Sequence, residues 1–490
     1  MTTLAGTPSR TAFWDRPIIV ISLLLLAVVF WGLAYNYVTG IILAVILALL
    51  LGGLKRPVWA IVALMVHQFT ITSYMVAAPF GFRISLQLLL LILVGLILWR
   101  AHRQNRLEIG PPARPLLLPL ILLILLALIS DLFNSGLSLT FEDFRDWMVG
   151  LMMVCFIPLA IQNKRDLKIV TTAVLLLILI SAVIGIFQYF NILGMQSALL
   201  IPGPTHLASE NFRITGITVG TLEASYILST VFLVLLGTFL YRGLGRNTQP
   251  LAPVILVVLA AALFFTYTRS SILAVLFGIV SLALFIKTRI KASLILLASL
   301  GLALILMLSP LSSQYLSGRS AVVQEESTVS REILWQAGVN IAISHPVLGI
   351  GSSNFNSLST QYQSAVNPSL IAYEKQQYWS YRTLGNESPH NDFINIWLSY
   401  GTPALILFLW LFIAVLNNFL RAYRISNSDF LKGLAVGLAA ALVGYGINTL
   451  YHNMLATMPL FWILAGFSLA LARLALSQNA NTGFSLPDVH

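Results

Sequence analysis

Five arginines and a histidine, Arg213, Arg269, Arg319, Arg331, Arg382 and His390, stand at the edges of apolar runs or in one long polar stretch. In "NESPHNDFINIW", residues 386–397, polar residues gather where the chain is about to turn apolar. Ser388 can cap a helix there, Pro389 suits its first position, and His390 and Asp392 fall in the first turn. The positive end of a helix disfavours imidazolium, so His390 is suited to accept a proton. "STVSREILWQAGVNIAISHPVLGIG" repeats the design, with Ser330 as cap, Glu332 in the first turn, and Arg331 among free N–H groups that already attract anions. Arg213 precedes a span in "FRITG", and Arg269 lies between two short spans in "TYTRSS". Glu223 sits about two turns into the run that starts near Gly216. Charges near membrane depth are costly and usually functional. Plain structural readings compete: snorkelling for the arginines, pairing of Arg331 with Glu325, Glu326 or a lipid phosphate, and interface decoration for His390.

The elements that must hold these residues are membrane helices. Of 490 residues, 58% are hydrophobic and only 9% charged, against about 25% charged in a soluble domain. Apolar runs of about 17–25 residues, the length needed to cross a bilayer as helix, recur along the chain. The single cysteine, Cys155, excludes an internal disulfide and a cysteine metal site. The first apolar run, 18–34, follows Arg10 and Arg16 without a small-residue cleavage site and reads as an uncleaved span. The net charge of +11 is spread in short clusters between spans, which argues against nucleic acid as a partner.

The expected fold class is all-α, a polytopic transmembrane bundle of fourteen spans, or twelve if the segments near 37–53 or 251–286 are re-entrant. With the N-terminus cytoplasmic, twenty of the 28 Lys and Arg fall in inner loops, leaving Arg83, Arg145, Arg213, Arg269, Arg319, Arg331, Lys375 and Arg382 outside. The chain then divides into N-terminal helices (1–204), central helices carrying arginine motifs (205–309), an extracytoplasmic loop (310–390), C-terminal helices (391–476) and a cytoplasmic tail (477–490). The 310–390 stretch is far longer than an ordinary connection, which marks it as a functional element containing short helices. Within it Ile333, Leu334, Ala337 and Ile341 form an apolar stripe at helical spacing, and Pro346, Gly349 and Gly351 end that helix. Tyr362, Tyr373, Tyr378, Trp379 and Tyr381 could stack on sugar rings, but an aromatic belt at the headgroups is the favoured reading.

Several of these pieces occur together in a known family. "SREILWQAGVNIAISHPVLGIGSSNF", followed some forty residues later by "SPHNDFINIWLSYGTPALILFL", resembles the signature region of the O-antigen ligase and polymerase family. That pattern joins an arginine before a tryptophan-bearing helix, a His/Arg-Pro-x-x-Gly-x-Gly turn, and a His-Asn pair with a glycine about ten residues on, here Gly401. "TYTRSSILAV" resembles the family's Ser-Arg-Gly segment and "FRITGITVG" its Arg-x-x-Gly, so the resemblance covers about residues 205–450. The chain departs from it in "VGTLEAS", where Glu223 stands near a family Pro-Asn, and in "TRSS"; both leave acceptor and subfamily open. The resemblance implies transfer of a glycan from a polyprenyl (undecaprenyl) diphosphate carrier on the outer face of the bacterial cytoplasmic (inner) membrane. Lipid A-core, another glycan or a protein would be the acceptor. Arg331 and Arg213 would grip the departing diphosphate with paired donors, helped by Arg269 or Arg319. His390 would take the acceptor proton or hold a phosphate; Asn391, Glu223 and Arg382 complete the implied substrate-binding set.

Three functions therefore compete: glycan transfer as ligase or polymerase, protein O-glycosylation from the same donor, and secondary transport. Transport fits least, since transporters place ionisable groups near the midplane on broken helices and often in repeats, and no repeat is visible. No cofactor is expected. Arginines would neutralise charge that other enzymes give to a metal ion. Glu142, Asp143 and Asp146 in "FEDFRD" could hold a cation, but the favoured reading is a solvated cluster or pairing with Arg145.

Overall fold

The computed structural model describes residues 37–70, 76–77, 84–104, 114–195, 213–286, 321–377 and 383–480, with isolated positions between 293 and 300. Its helices in chain order are α1 (Tyr37–Lys55), α2 (Val58–Gln68), α3 (Leu86–Arg103), α4 (Arg114–Asn134), α5 (Leu137–Ala160) and α6 (Lys164–Tyr189). There follow α7 (Thr221–Leu240), α8 (Ala252–Phe265), α9 (Arg269–Phe285), α10 (Ala321–Ser344), α11 (Phe355–Ser359) and α12 (Pro368–Gln377). The last four are α13 (Asp392–Ile425), α14 (Asp429–Thr449), α15 (Met454–Thr457) and α16 (Leu460–Ala480). Two-residue strands, Val76–Ala77 and Ile84–Ser85, pair antiparallel before α3. Eight described helices are long and apolar enough to cross a membrane, and three shorter apolar ones, including α2 and α9, lie among them. The fold is an all-α polytopic membrane bundle. The expected spans near 17–34 and 292–309 fall almost wholly outside the described residues, and the span expected over 57–79 is helical over Val58–Gln68.

Small residues let the central helices approach closely. A Cβ on Gly237 of α7 would stand 2.5 Å from Gly437 Cα of α14, the packing that membrane helices use in place of a hydrophobic drive. A buried polar chain adds to it: Ser225 of α7 meets Ser271 of α9 at 2.8 Å, and Ser271 donates to Asn448 Oδ1 of α14 at 3.1 Å. Ser271 is the second serine of "TRSS".

The polar stretch folds as a layer with its own core. The stripe Ile333, Leu334, Ala337 and Ile341 is buried against Ile350, Phe355, Val366, Ile371, Leu384 and, from α13, Leu398. α10 begins at Ala321, not at Ser330. Residues 321–330 contain no glycine or proline to break the helix, and Ser330 Oγ accepts from Thr383 Oγ1 instead of capping.

The seam between layer and bundle follows from two glycine-bearing loops. α13 is interrupted at Gly401 (φ +84°), and Pro403 cannot donate the N–H that Ser399 O would receive in an unbroken helix. The freed carbonyls find partners in "HPVLGIG": Leu398 O accepts from Ile350 N and Ser399 O from Gly351 N, each at 2.9 Å, while Thr402 N donates to Pro346 O at 2.8 Å. A Cβ on Gly401 would run into Val347 O, and one on Gly349 (φ +66°) into Leu398 O. Ser130 near the end of α4 adds its hydroxyl to Leu348 O and Ser399 O. All these backbone groups are thus satisfied across the kink.

Candidate active site

The chain reverses between α13 and its neighbours at one end of the bundle, and His390 sits there. Asn391 is the helix cap: its side-chain oxygen accepts from Phe393 N at 3.0 Å and Ile394 N at 3.1 Å. The expectation of a Ser388 cap with His390 in the first turn is thereby corrected. The Asn391 amide reaches the free N–H groups two and three residues on, and Ser388 Oγ accepts from Asn453 Nδ2 at 2.8 Å. His390 precedes the cap with φ +50°, a left-handed conformation that costs a side-chain-bearing residue about 1–2 kcal/mol. Its Nε2 lies 3.4 Å from Glu387 Oε2.

A second segment, the turn after α14, holds it in place. Asn391 N donates to Asn453 Oδ1 at 2.8 Å and Asn391 Nδ2 to Leu450 O at 3.2 Å. Met454 N and Leu455 N donate to Asp392 Oδ2 at 3.1 and 2.9 Å, and the Tyr445 hydroxyl lies 3.4 Å from the same oxygen. This lacing brings a second histidine, His452, beside the first: the ring centroids are 6.4 Å apart and the planes inclined at 70°.

Two arginines act on His452 through their charge. Burial first, then the charges of Arg331, His390 and Arg213, push its imidazole down to about 3, so His452 is neutral at any working pH. Arg213 is half-buried and aimed by its neighbours: Nε donates to Thr266 O at 2.9 Å and Nη2 to Thr268 Oγ1 at 3.1 Å. Arg331 lies well inside α10 rather than in a first turn, because that helix starts at Ala321, so tertiary packing and not a helix terminus sets its surroundings. One turn on, Trp335 packs 6.1 Å from the Tyr451 ring.

Glu223 falls in the first turn of α7, not two turns in. The segment 215–220 is a turn in which Gln188 Oε1 accepts from Thr215 N and Gly216 N, delaying the helix to Thr221. Tyr226, one turn deeper, is 2% exposed, and its ring lies 5.8 Å from His452. The charges of Glu223, Asp392, Arg331 and Arg213 all reach it. Arg269 is the first residue of α9 and is exposed. Arg319 and Arg382 lie outside the described residues, as do the side chains of Glu142 and Asp143; Arg145 pairs with Asp146 at 2.8 Å.

The structure therefore brings together Arg213, Arg331, His390 and Glu223, with Asn391 engaged in positioning His390. It adds Tyr226 and His452, which the sequence reading did not single out. A signal existed: "YHNM" at 451–454 repeats the His-Asn pair of "PHND", and the two asparagines bind each other's segments. Chemically, the end of the bundle combines fixed cationic donors, able to hold an anion, with one half-exposed imidazole beside a carboxylate, able to take a proton.

Fold and site define a multi-pass membrane protein with a cationic, histidine-bearing site at one end of its bundle. Residues 254–409 match the family model described as O-antigen ligase. Over that stretch the chain is similar to the O-antigen ligase family, which supports a membrane glycosyltransferase of the O-antigen ligase/polymerase type. The matched segment contains Arg269, Arg331, His390, Asn391 and the three seam glycines, whereas Arg213, Glu223, Tyr226 and His452 lie beyond it. The comparison with curated proteins found no match.

Proposed function

We propose that this protein transfers a glycan from a polyprenyl (undecaprenyl) diphosphate carrier to an acceptor hydroxyl at the outer face of the bacterial cytoplasmic membrane, as ligase or surface-polysaccharide polymerase. The observation that carries the reading is the packing of His390 and Tyr226 around the half-buried His452 ring, at 6.4 and 5.8 Å, with Arg213 and Arg331 close enough for their charges to act on it. A diphosphate leaving group needs several fixed positive donors, and an attacking hydroxyl needs a proton acceptor. In the step, the acceptor oxygen bonds to the anomeric carbon as its proton passes to His390. The bond from that carbon to the diphosphate oxygen breaks, and its electron pair leaves with the diphosphate. Arg213 and Arg331 offset the charge that develops there, the work a metal ion does elsewhere.

A general base contributes about 10²–10⁴-fold to rate. His390→Ala should abolish transfer in cells while protein level and donor binding persist. His390→Gln keeps a hydrogen-bonding amide but accepts no proton, so it too should be inactive; an active Gln variant would make His390 a positioning residue. Transfer by purified protein should survive EDTA. Activity lost in EDTA and restored by Mg²⁺ or Mn²⁺ would overturn the metal-free reading and turn attention to Glu142, Asp143 and Asp146.

A further inference from the structure

Two histidines meet at this site, and their surroundings differ. His390 is half-exposed and paired with Glu387. His452 stands deeper among positive charges, between the ring of Tyr226 at 5.8 Å and that of His390 at 6.4 Å. Its position is built, because the bonds from Asn391 to Leu450 O and Asn453, and from Met454 and Leu455 to Asp392, fix the backbone on both sides of it. Nearby polar atoms point to the chemistry of a ligand. The Tyr226 hydroxyl and Trp335 Nε1 are buried and have no hydrogen-bond partner among the described residues. A buried donor without a partner is costly, so such atoms mark a place where a ligand supplies acceptors. Tyr226 Oη–H, Trp335 Nε1–H and the guanidinium groups of Arg213 and Arg331 can all donate, and a diphosphate is rich in acceptors.

We propose that His452 is a second functional histidine of this site, whose ring N–H donates to a diphosphate oxygen of the glycan donor while His390 takes the acceptor proton. The inference rests on the transfer reading above and assigns it a division of labour. His452 is neutral because burial and the flanking charges of Arg331, His390 and Arg213 disfavour a further cation. A neutral imidazole carries one N–H donor, and it can strengthen that bond as charge builds on the leaving oxygen. His390 has the Glu387 carboxylate 3.4 Å from its Nε2, so a counter-charge stands beside the ring that takes the acceptor proton.

The test uses the full-length protein, with undecaprenyl diphosphate as the binding probe and glycan transfer followed in cells lacking the native copy. His452→Leu should weaken probe binding about tenfold and reduce transfer about 10²–10³-fold, the usual effect of removing one such donor. His452→Gln, which keeps an N–H donor, should hold both to within about tenfold of wild type. If the Leu variant does not accumulate, His452→Met serves the same purpose. Wild-type probe binding by the apolar variant would overturn the contact with the diphosphate. A Gln variant that binds normally but transfers no better than Leu would overturn the division of labour, because His452 would then be moving a proton. His390→Gln and wild type, measured alongside, separate the two levels. No probe binding by wild type would remove the transfer reading itself; full activity in His390→Gln would make His390 a positioning residue and overturn the division of labour, and failure confined to the His452 variants removes only this inference.

Discussion

Arg331 and Arg213 are distinguished from the other arginines by what surrounds their guanidinium groups. Both are half-buried, and their charges reach His452 and Tyr226, while Arg269 stands exposed at the start of α9. A planar fork held at fixed orientation binds two phosphate oxygens at once; a lysine ammonium is a point charge. Arg331→Lys should therefore cost nearly as much transfer activity as Arg331→Ala, and Arg213→Lys should behave likewise because its fork is aimed by Thr266 and Thr268. Substantial activity in both lysine variants, measured as glycan product per unit of protein, would make their role diffuse attraction and end the clamp. Residue types near spans were enough to pick out Arg213, Arg331 and His390. His452 was not legible in the same way, because a lone histidine in a short turn between spans carries no pattern until Asp392 and Asn391 draw that turn onto the start of α13.

Element by element, the sequence was most legible where periodicity and breakers agree. The stripe from Ile333 to Ile341 and its stop at Pro346 read correctly as one helix. Helix starts read less well: Ser388 and Ser330 both have the right chemistry for a cap, yet Asn391 takes the first role and an unbroken run upstream removes the second. Such choices depend on which partner lies across the fold, and spacing along one chain does not contain that. The seam at Gly401 is a stronger case. The glycine, the proline two residues on, and the loop His345–Gly351 make sense only together, as a broken helix whose free carbonyls are filled by a distant loop. Gly401→Ala should cost about 1–2 kcal/mol from the left-handed conformation alone, and more because Val347 O occupies the space a methyl group needs. A fall in the melting temperature of purified protein, with reduced transfer in cells, is the expected outcome. An alanine variant as stable as wild type would mean that the kink is not fixed by its partners.

At the scale of the molecule, the two ends of the bundle carry different chemistry. The site end holds Arg213, Arg331, His390 and His452 at the boundary between the spans and the layer 321–390. The other end is closed by tight structural pairs: Arg56 with Asp166 at 2.6 Å, Lys164 donating to Ser428 Oγ at 2.6 Å, and Arg473 donating to Ile161 O. Those cations belong to the clusters assigned to the cytoplasm by the excess of Lys and Arg in inner loops. The same orientation would put the site on the outer side, where the proposed lipid-linked donor would be met. The prediction is accordingly one of sidedness. Ser369, exposed in the polar layer with its hydroxyl donating to Asn367 Oδ1 beside it, should react as cysteine with a membrane-impermeant thiol reagent on intact cells. Cys155, half-buried in α5, is first replaced so that only the new thiol reports. Labelling of intact cells fixes the layer, and with it His390 and both arginines, outside the cytoplasm. Labelling only after permeabilisation would invert the bundle and leave the site facing a compartment where the diphosphate carrier is loaded rather than unloaded, a result no rearrangement of the site residues could rescue.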